Sequence, residues 1–72
     1  MYVILTRNQC NFCDTAKEML KGFGVPYVEY NIQTNRWLLD LVKKAGYTTV
    51  PQIWDVEGNH IGGYTELKEH LS

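Results

Sequence analysis

A chain of 72 residues holds one domain, 1–72, and leaves no room for a separate cofactor domain, so any chemistry must sit on one small scaffold. Seven basic residues against eight acidic ones give a formal net charge of -1, which argues against a broad electrostatic grip on nucleic acid or anionic lipid. The only two cysteines, Cys10 and Cys13, lie too close together to staple distant segments. Such a lone CxxC suits a reducing compartment, where it is redox-active or metal-binding.

Met1 to Leu5 has no basic run, too short an apolar stretch for a signal peptide and nothing able to span a bilayer, so a cytoplasmic, soluble protein is expected. From Tyr2 to Thr6 the residues are β-branched and apolar almost throughout, the signature of a strand covered on both faces and central in its sheet. Asn11 to about Phe23 places Phe12, Ala16, Met19, Leu20 and Phe23 at helical spacing, with Gly22 and Gly24 as the exit. After Pro26, Tyr27 to Ile32 alternates as a second strand, and the short crossover favours a parallel pair.

Trp37, Leu38, Leu41, Val42 and Ala45 mark a second helix that starts near Thr34 or Asn35 and is ended by Gly46. Gln52 to Val56 and His60 to Ile61 flank a turn at Glu57-Gly58-Asn59, and Tyr64 to Leu71 reads as a final short helix. The order β-α-β-α-β-β-α predicts an α/β, thioredoxin-like fold with a four-stranded mixed sheet flanked by helices.

Cys10-Asn11-Phe12-Cys13 falls after a strand and at the start of a helix. Unpaired N–H groups and the positive end of the helix dipole favour a thiolate there, and can bring a cysteine pKa from about 8.5 into a range of roughly 3.5 to 7.5. Cys10 is the candidate nucleophile, with access to solvent. Cys13, one turn deeper on the same side, is the candidate resolving thiol. Arg7, three residues before Cys10, is placed to stabilise the thiolate or to hold the carboxylate of an anionic substrate; otherwise it is a solvated surface arginine.

Three blocks, Arg7 to Cys13, Thr48-Thr49-Val50-Pro51-Gln52-Ile53 and His60-Ile61-Gly62-Gly63-Tyr64, resemble those of dithiol glutaredoxins, and the resemblance covers nearly the whole chain. It implies a thiol-disulfide oxidoreductase with glutathione as co-substrate and no tightly bound cofactor. It also implies a cis bond before Pro51, with the Val50 backbone offered to a peptide-like disulfide as a strand edge. The Gly62-Gly63 turn before the last helix matches the region that binds the γ-glutamyl end of glutathione, although a glycine pair also serves as a plain turn. Arg7, Phe12, Thr49, Val50, Pro51, Gly63, Tyr64 and Thr65 are thus candidate glutathione contacts, joined by Gln33 and Arg36 near the start of the second helix.

The chain departs from the family pattern at Asn11, where proline is commonest, at Phe12, where tyrosine is usual, and at Thr65, where many relatives carry an aspartate that pairs with the glutathione amine. The stop at Ser72 resembles compact phage and bacterial glutaredoxins that reduce ribonucleotide reductase, which makes that enzyme a candidate partner of a monomeric protein. A different reading is a zinc or iron–sulfur module in which Cys10 is joined by glutathione thiols or a second subunit, because two cysteines supply half of a four-cysteine site. His60 and His70 have no acid–base partner at meaningful spacing, and Trp37 and Trp54 read as core or partly exposed packing residues.

Overall fold

In the computed structural model, which describes residues 1–72, the apolar run at the N-terminus forms strand β1 (Tyr2–Thr6). Helix α1 (Asn11–Gly22), β2 (Tyr27–Asn31), α2 (Arg36–Lys44), β3 (Gln52–Trp54), β4 (His60–Gly62) and α3 (Tyr64–Leu71) follow. Strand order is β2-β1-β3-β4, so β1 is interior as its two-sided apolar pattern predicts. β1 pairs parallel with β2 and antiparallel with β3, and β3 pairs antiparallel with β4. Three helices on a mixed four-stranded sheet in this order make a thioredoxin-like fold.

Successive residues of β1 point to opposite faces, and each face has its own core. Ile4 packs with Ala16 and Leu20 of α1, Ile53 of β3 and Leu67 of α3, all fully buried. On the other face, Leu5 packs with Ile32 and with Leu38 and Val42 of α2. Burying each large aliphatic side chain contributes roughly 1.5–3 kcal/mol, which fixes the sheet between α1 and α3 on one side and α2 on the other.

The helices bury narrower stripes than the sequence periodicity suggests. Phe12 is 63% exposed, Phe23 58%, Trp37 65% and Leu41 55%. On α2 the buried pair is Leu38 and Val42, one turn apart, so Trp37 and Leu41, each one position earlier, face outward; Trp37 is therefore not a core residue. β3 ends at Trp54 and not Val56 because the Asp55 carboxylate closes a turn, accepting the N–H groups of Glu57 and Asn59 at 2.9 Å each. Those backbone bonds, that of Asn59 foremost, hold the Asp55 pKa below its ordinary value.

Register decides what meets at one end of the sheet. Leu5 of β1 lies opposite Gln52 of β3, and Ile53 lies opposite Gly62 of β4. The loop leaving β1, the loop entering β3 and the turn leaving β4 therefore converge on the same edge, where α1 and α3 begin.

Candidate active site

Cys10 is the N-cap of α1, with extended backbone (φ -119°, ψ 102°), and the N–H of Cys13 donates to its Sγ at 3.2 Å. A first-turn N–H has no partner within its own helix, and this one is spent on sulfur, where it favours negative charge. Cys10 and Cys13 are joined as a disulfide, their Cα atoms 5.2 Å apart. Cys10 is only 5% exposed and Cys13 1%, so the solvent access expected for Cys10 is absent in this oxidised form. The cause is local: its sulfur is bonded to Cys13 and faces the Val50 carbonyl oxygen, 3.8 Å away.

The preceding residue, Gln9, sits at φ +53°, in the left-handed region that non-glycine residues seldom adopt. A polar network holds this turn against the end of β2. The Asn8 N–H donates to Gln33 Oε1 at 2.7 Å, Asn31 Nδ2 donates to Asn8 Oδ1 at 2.9 Å, and the Gln33 N–H donates to Asn31 Oδ1 at 2.8 Å. Gln33 thus braces the cysteine loop with its carboxamide oxygen, leaving its NH2 as the group free to meet a ligand. Arg36, the first residue of α2, is exposed and forms no salt bridge.

Arg7 folds back on its own loop. One guanidinium nitrogen donates to the carbonyls of Asn8 at 3.1 Å and Gln9 at 3.3 Å, and no hydrogen bond joins it to Cys10. Arg7 also lines a groove with Thr49 and Val50.

The Val50–Pro51 peptide bond is cis. The loop carrying it is anchored by Gln52, 7% exposed, whose Nε2 donates to the Thr49 carbonyl at 2.9 Å. That carbonyl can only accept, so the other end of the carboxamide is its oxygen, and His60 Nε2 reaches it at 2.7 Å carrying a proton. The His60 ring packs with its centroid 5.0 Å from both Tyr47 and Trp54. The sequence assigned His60 no role because this partnership crosses from β4 to β3; the only trace of it is that both residues fall within the family-like blocks.

At the third edge, Gly62 has φ +126°, and a Cβ there would stand 2.8 Å from Glu66 Cγ, so only glycine fits. Gly63 is the N-cap of α3, and its N–H donates to Glu66 Oε1 at 2.7 Å. That donor is already taken by a carboxylate, which narrows the seat expected for the γ-glutamyl carboxylate to the N–H groups that follow, those of Tyr64 and Thr65. The Tyr64 ring stacks on Phe12, centroids 5.9 Å apart and planes at 28°, joining the starts of α3 and α1 in one aromatic wall. Thr65 is exposed beside it.

Behind the site, Thr6 ends β1 at 1% exposure and donates its hydroxyl to Glu29 Oε2 at 2.7 Å, while Lys17 Nζ lies 3.1 Å from the same oxygen. The Thr6 hydroxyl is the main cause of a lowered Glu29 pKa; burial opposes it and Lys17 assists it. For Lys17, burial alone would lower the pKa, but the hydrogen bond and charge of Glu29 leave it raised. No group of three or more His, Cys, Asp or Glu side chains is arranged to hold a metal ion, so a cluster built on Cys10 would take its other ligands from outside the chain.

Comparison with known proteins agrees with this geometry. The family model described as Glutaredoxin matches residues 2–61. The chain is 42% identical over 66 residues to a glutaredoxin of Pseudomonas aeruginosa, spanning 90% of this chain and 77% of that one. It is 38% identical over 65 residues to glutaredoxin 3 of Escherichia coli K12, spanning 89% and 77%. The crystal structure of glutaredoxin 1 from Francisella tularensis superposes with a TM-score of 0.76 at 34% identity, covering 96% of this chain and 88% of that one. With its CxxC at the N-cap of α1 and a family match over most of its length, the chain belongs to the glutaredoxin family of thiol-disulfide oxidoreductases, which use glutathione as co-substrate.

Proposed function

We propose that Cys10 is the nucleophile and Cys13 the resolving thiol in the reduction of protein disulfides and of glutathione mixed disulfides. The observation that carries the reading is the Cys13 N–H donating to Cys10 Sγ at 3.2 Å, beside the backbone of Val50. The Cys10 thiolate attacks a substrate sulfur; a Cys10–substrate S–S bond forms as the substrate's own bond breaks, and the departing thiolate takes a proton from water. Cys13, deprotonated to solvent, then attacks Cys10 Sγ, releasing the second substrate thiolate and leaving the Cys10–Cys13 disulfide. Two electrons pass to the substrate. Two glutathione thiols return them and leave as glutathione disulfide.

In this reading the Val50 backbone, beside Pro51 and Thr49, docks the peptide unit of the disulfide, and Phe12 with Tyr64 forms the wall next to the sulfur. Arg7 receives a carboxylate, with Gln33 and Arg36 as further donors, while Tyr64, Thr65 and the Gly63 turn receive the γ-glutamyl end. Residues 1–72 act as one unit and as a monomer in this reading. Among protein disulfides, that of ribonucleotide reductase is a candidate substrate. A reducing cytoplasm is the working compartment, supported by the absence of any cysteine beyond the pair; no helix is long and apolar enough to cross a membrane.

The test separates the two cysteines. Cys13→Ser should retain reduction of a small glutathionylated substrate, because external glutathione resolves the intermediate, but lose most reduction of a protein disulfide. Cys10→Ser should lose both. Full deglutathionylation by Cys10→Ser, or none by Cys13→Ser, overturns the assignment.

A further inference from the structure

Residues 48–51 bring Val50 to the cysteines, and none of them joins the backbone hydrogen bonds that fix the other turns and loops. A side chain holds them instead: Gln52 Nε2 donates to the Thr49 carbonyl at 2.9 Å and lies 3.5 Å from the Thr49 hydroxyl. The two ends of a carboxamide have nearly the same shape, and turned over, this one would set its oxygen against that carbonyl, so its orientation has to be chosen. His60 meets the other end, with Nε2 at 2.7 Å from Gln52 Oε1. Its ring centroid also lies 5.0 Å from that of Tyr47, where the chain has just left α2, and 5.0 Å from that of Trp54, the last residue of β3.

We propose that His60 is a positioning residue for disulfide reduction: by donating from Nε2 it locks the Gln52 carboxamide, and through it the Thr49–Val50 backbone, in the arrangement that docks the substrate. The proposal rests on the oxidoreductase reading above. His60 clasps one loop at two points, by its ring at Tyr47 and by way of Gln52 at Thr49. The hydrogen bond carries the effect, because Gln52 grips the residue next to Val50 whereas the ring meets the chain three residues before it. Both the imidazolium and the neutral ring protonated at Nε2 make this bond. The neutral ring protonated at Nδ1 turns a lone pair toward Gln52 Oε1 and releases the lock. His60 is exposed and belongs to neither core, so its replacement leaves the packing on both faces of the sheet in place.

The experiment follows one turnover of the reduced protein on a synthetic peptide with a single intramolecular disulfide. With no glutathione present, the half-saturating peptide concentration and the limiting rate are read separately. His60→Phe keeps a ring and loses the donor; His60→Gln loses the ring and keeps an N–H donor at matching reach. Half-saturation should rise about three- to tenfold in His60→Phe, with the limiting rate and the pH titration of the Cys10 thiolate unchanged. In His60→Gln it should return to within about twofold of wild type. A role confined to packing gives the opposite order, since His60→Gln is the variant without the ring. In the wild type, 15N NMR should find Nε2 of His60 protonated near neutral pH. Unchanged half-saturation in His60→Phe, a loss confined to the limiting rate, an impairment at least as large in His60→Gln, or an Nε2 without a proton overturns the positioning role, while normal wild-type turnover leaves the oxidoreductase reading standing. A wild type that leaves the peptide disulfide intact overturns that reading as well.

Discussion

Replacing Gln52 with methionine keeps the length and bulk of the side chain and removes both ends of its carboxamide. The Thr49 carbonyl loses a donor at 2.9 Å and His60 Nε2 loses an acceptor at 2.7 Å. Each neutral bond contributes about 0.5–1.5 kcal/mol net, and because Thr49 and His60 are exposed, water satisfies the orphaned groups and the full penalty for burying them does not apply. The sum is about 1–3 kcal/mol, or roughly 4–24 °C in Tm for a domain of this size. Gln52→Glu is the sharper perturbation. Its carboxylate still accepts from His60 but sets a lone pair against the Thr49 carbonyl, within a side chain only 7% exposed, so its cost should exceed that of methionine. Both variants release the loop that presents Val50, and KM for a protein disulfide should rise about three- to tenfold, a loss of about 0.6–1.4 kcal/mol of binding. Urea unfolding and steady-state kinetics measure the two effects. Refutation would be a Gln52→Met protein within about 0.5 kcal/mol of wild type and with unchanged KM, or a Gln52→Glu protein more stable than Gln52→Met.

Thr6→Val removes the hydroxyl that most lowers the Glu29 pKa, so that pKa should rise toward its ordinary value. A carboxylate whose pKa is lowered by folding stabilises the protein above its unfolded pKa, and that contribution disappears as pH falls through the folded value. The stability gap between wild type and Thr6→Val should therefore be constant near neutrality and shrink below about pH 4.5; an NMR titration of Glu29 that shows the same pKa in both proteins counts against this. The two glycines of the β4–α3 turn should respond unequally. Gly62→Ala meets Glu66 Cγ at 2.8 Å and a φ of +126°, costing about 1–3 kcal/mol, whereas a Cβ on Gly63 finds its nearest neighbour at 3.4 Å and should be milder. Equal unfolding midpoints for the two variants would contradict that ordering.

The fold was legible because it follows local periodicity: Tyr2–Thr6 is apolar on both sides and becomes interior, and Leu38 and Val42 sit one helical turn apart and become core. Element ends were less so, since Asp55 stops β3 through bonds that composition alone does not reveal. Periodicity also drew wider buried stripes than the helices have, because Phe12 and Trp37 match the spacing while facing water. Of the site, the CxxC at a helix start was readable, as both its residues and its dipole are local. What held it was not. The tie from Asn8 to Gln33 and the bond from Gln52 to His60 join residues whose proximity is created by strand register.

That register divides the protein's work between two length scales. Cys10 and Cys13 are neighbours within a single helical turn and need little beyond α1 to meet. Val50 arrives from forty residues away, delivered by β3 lying against β1 with Gln52 opposite Leu5. The pairing of the two cysteines is thus a short-range property of this chain and the placing of Val50 beside them a long-range one. Damage to the seam between β1 and β3 displaces Val50 from the cysteines without breaking the single turn that pairs them.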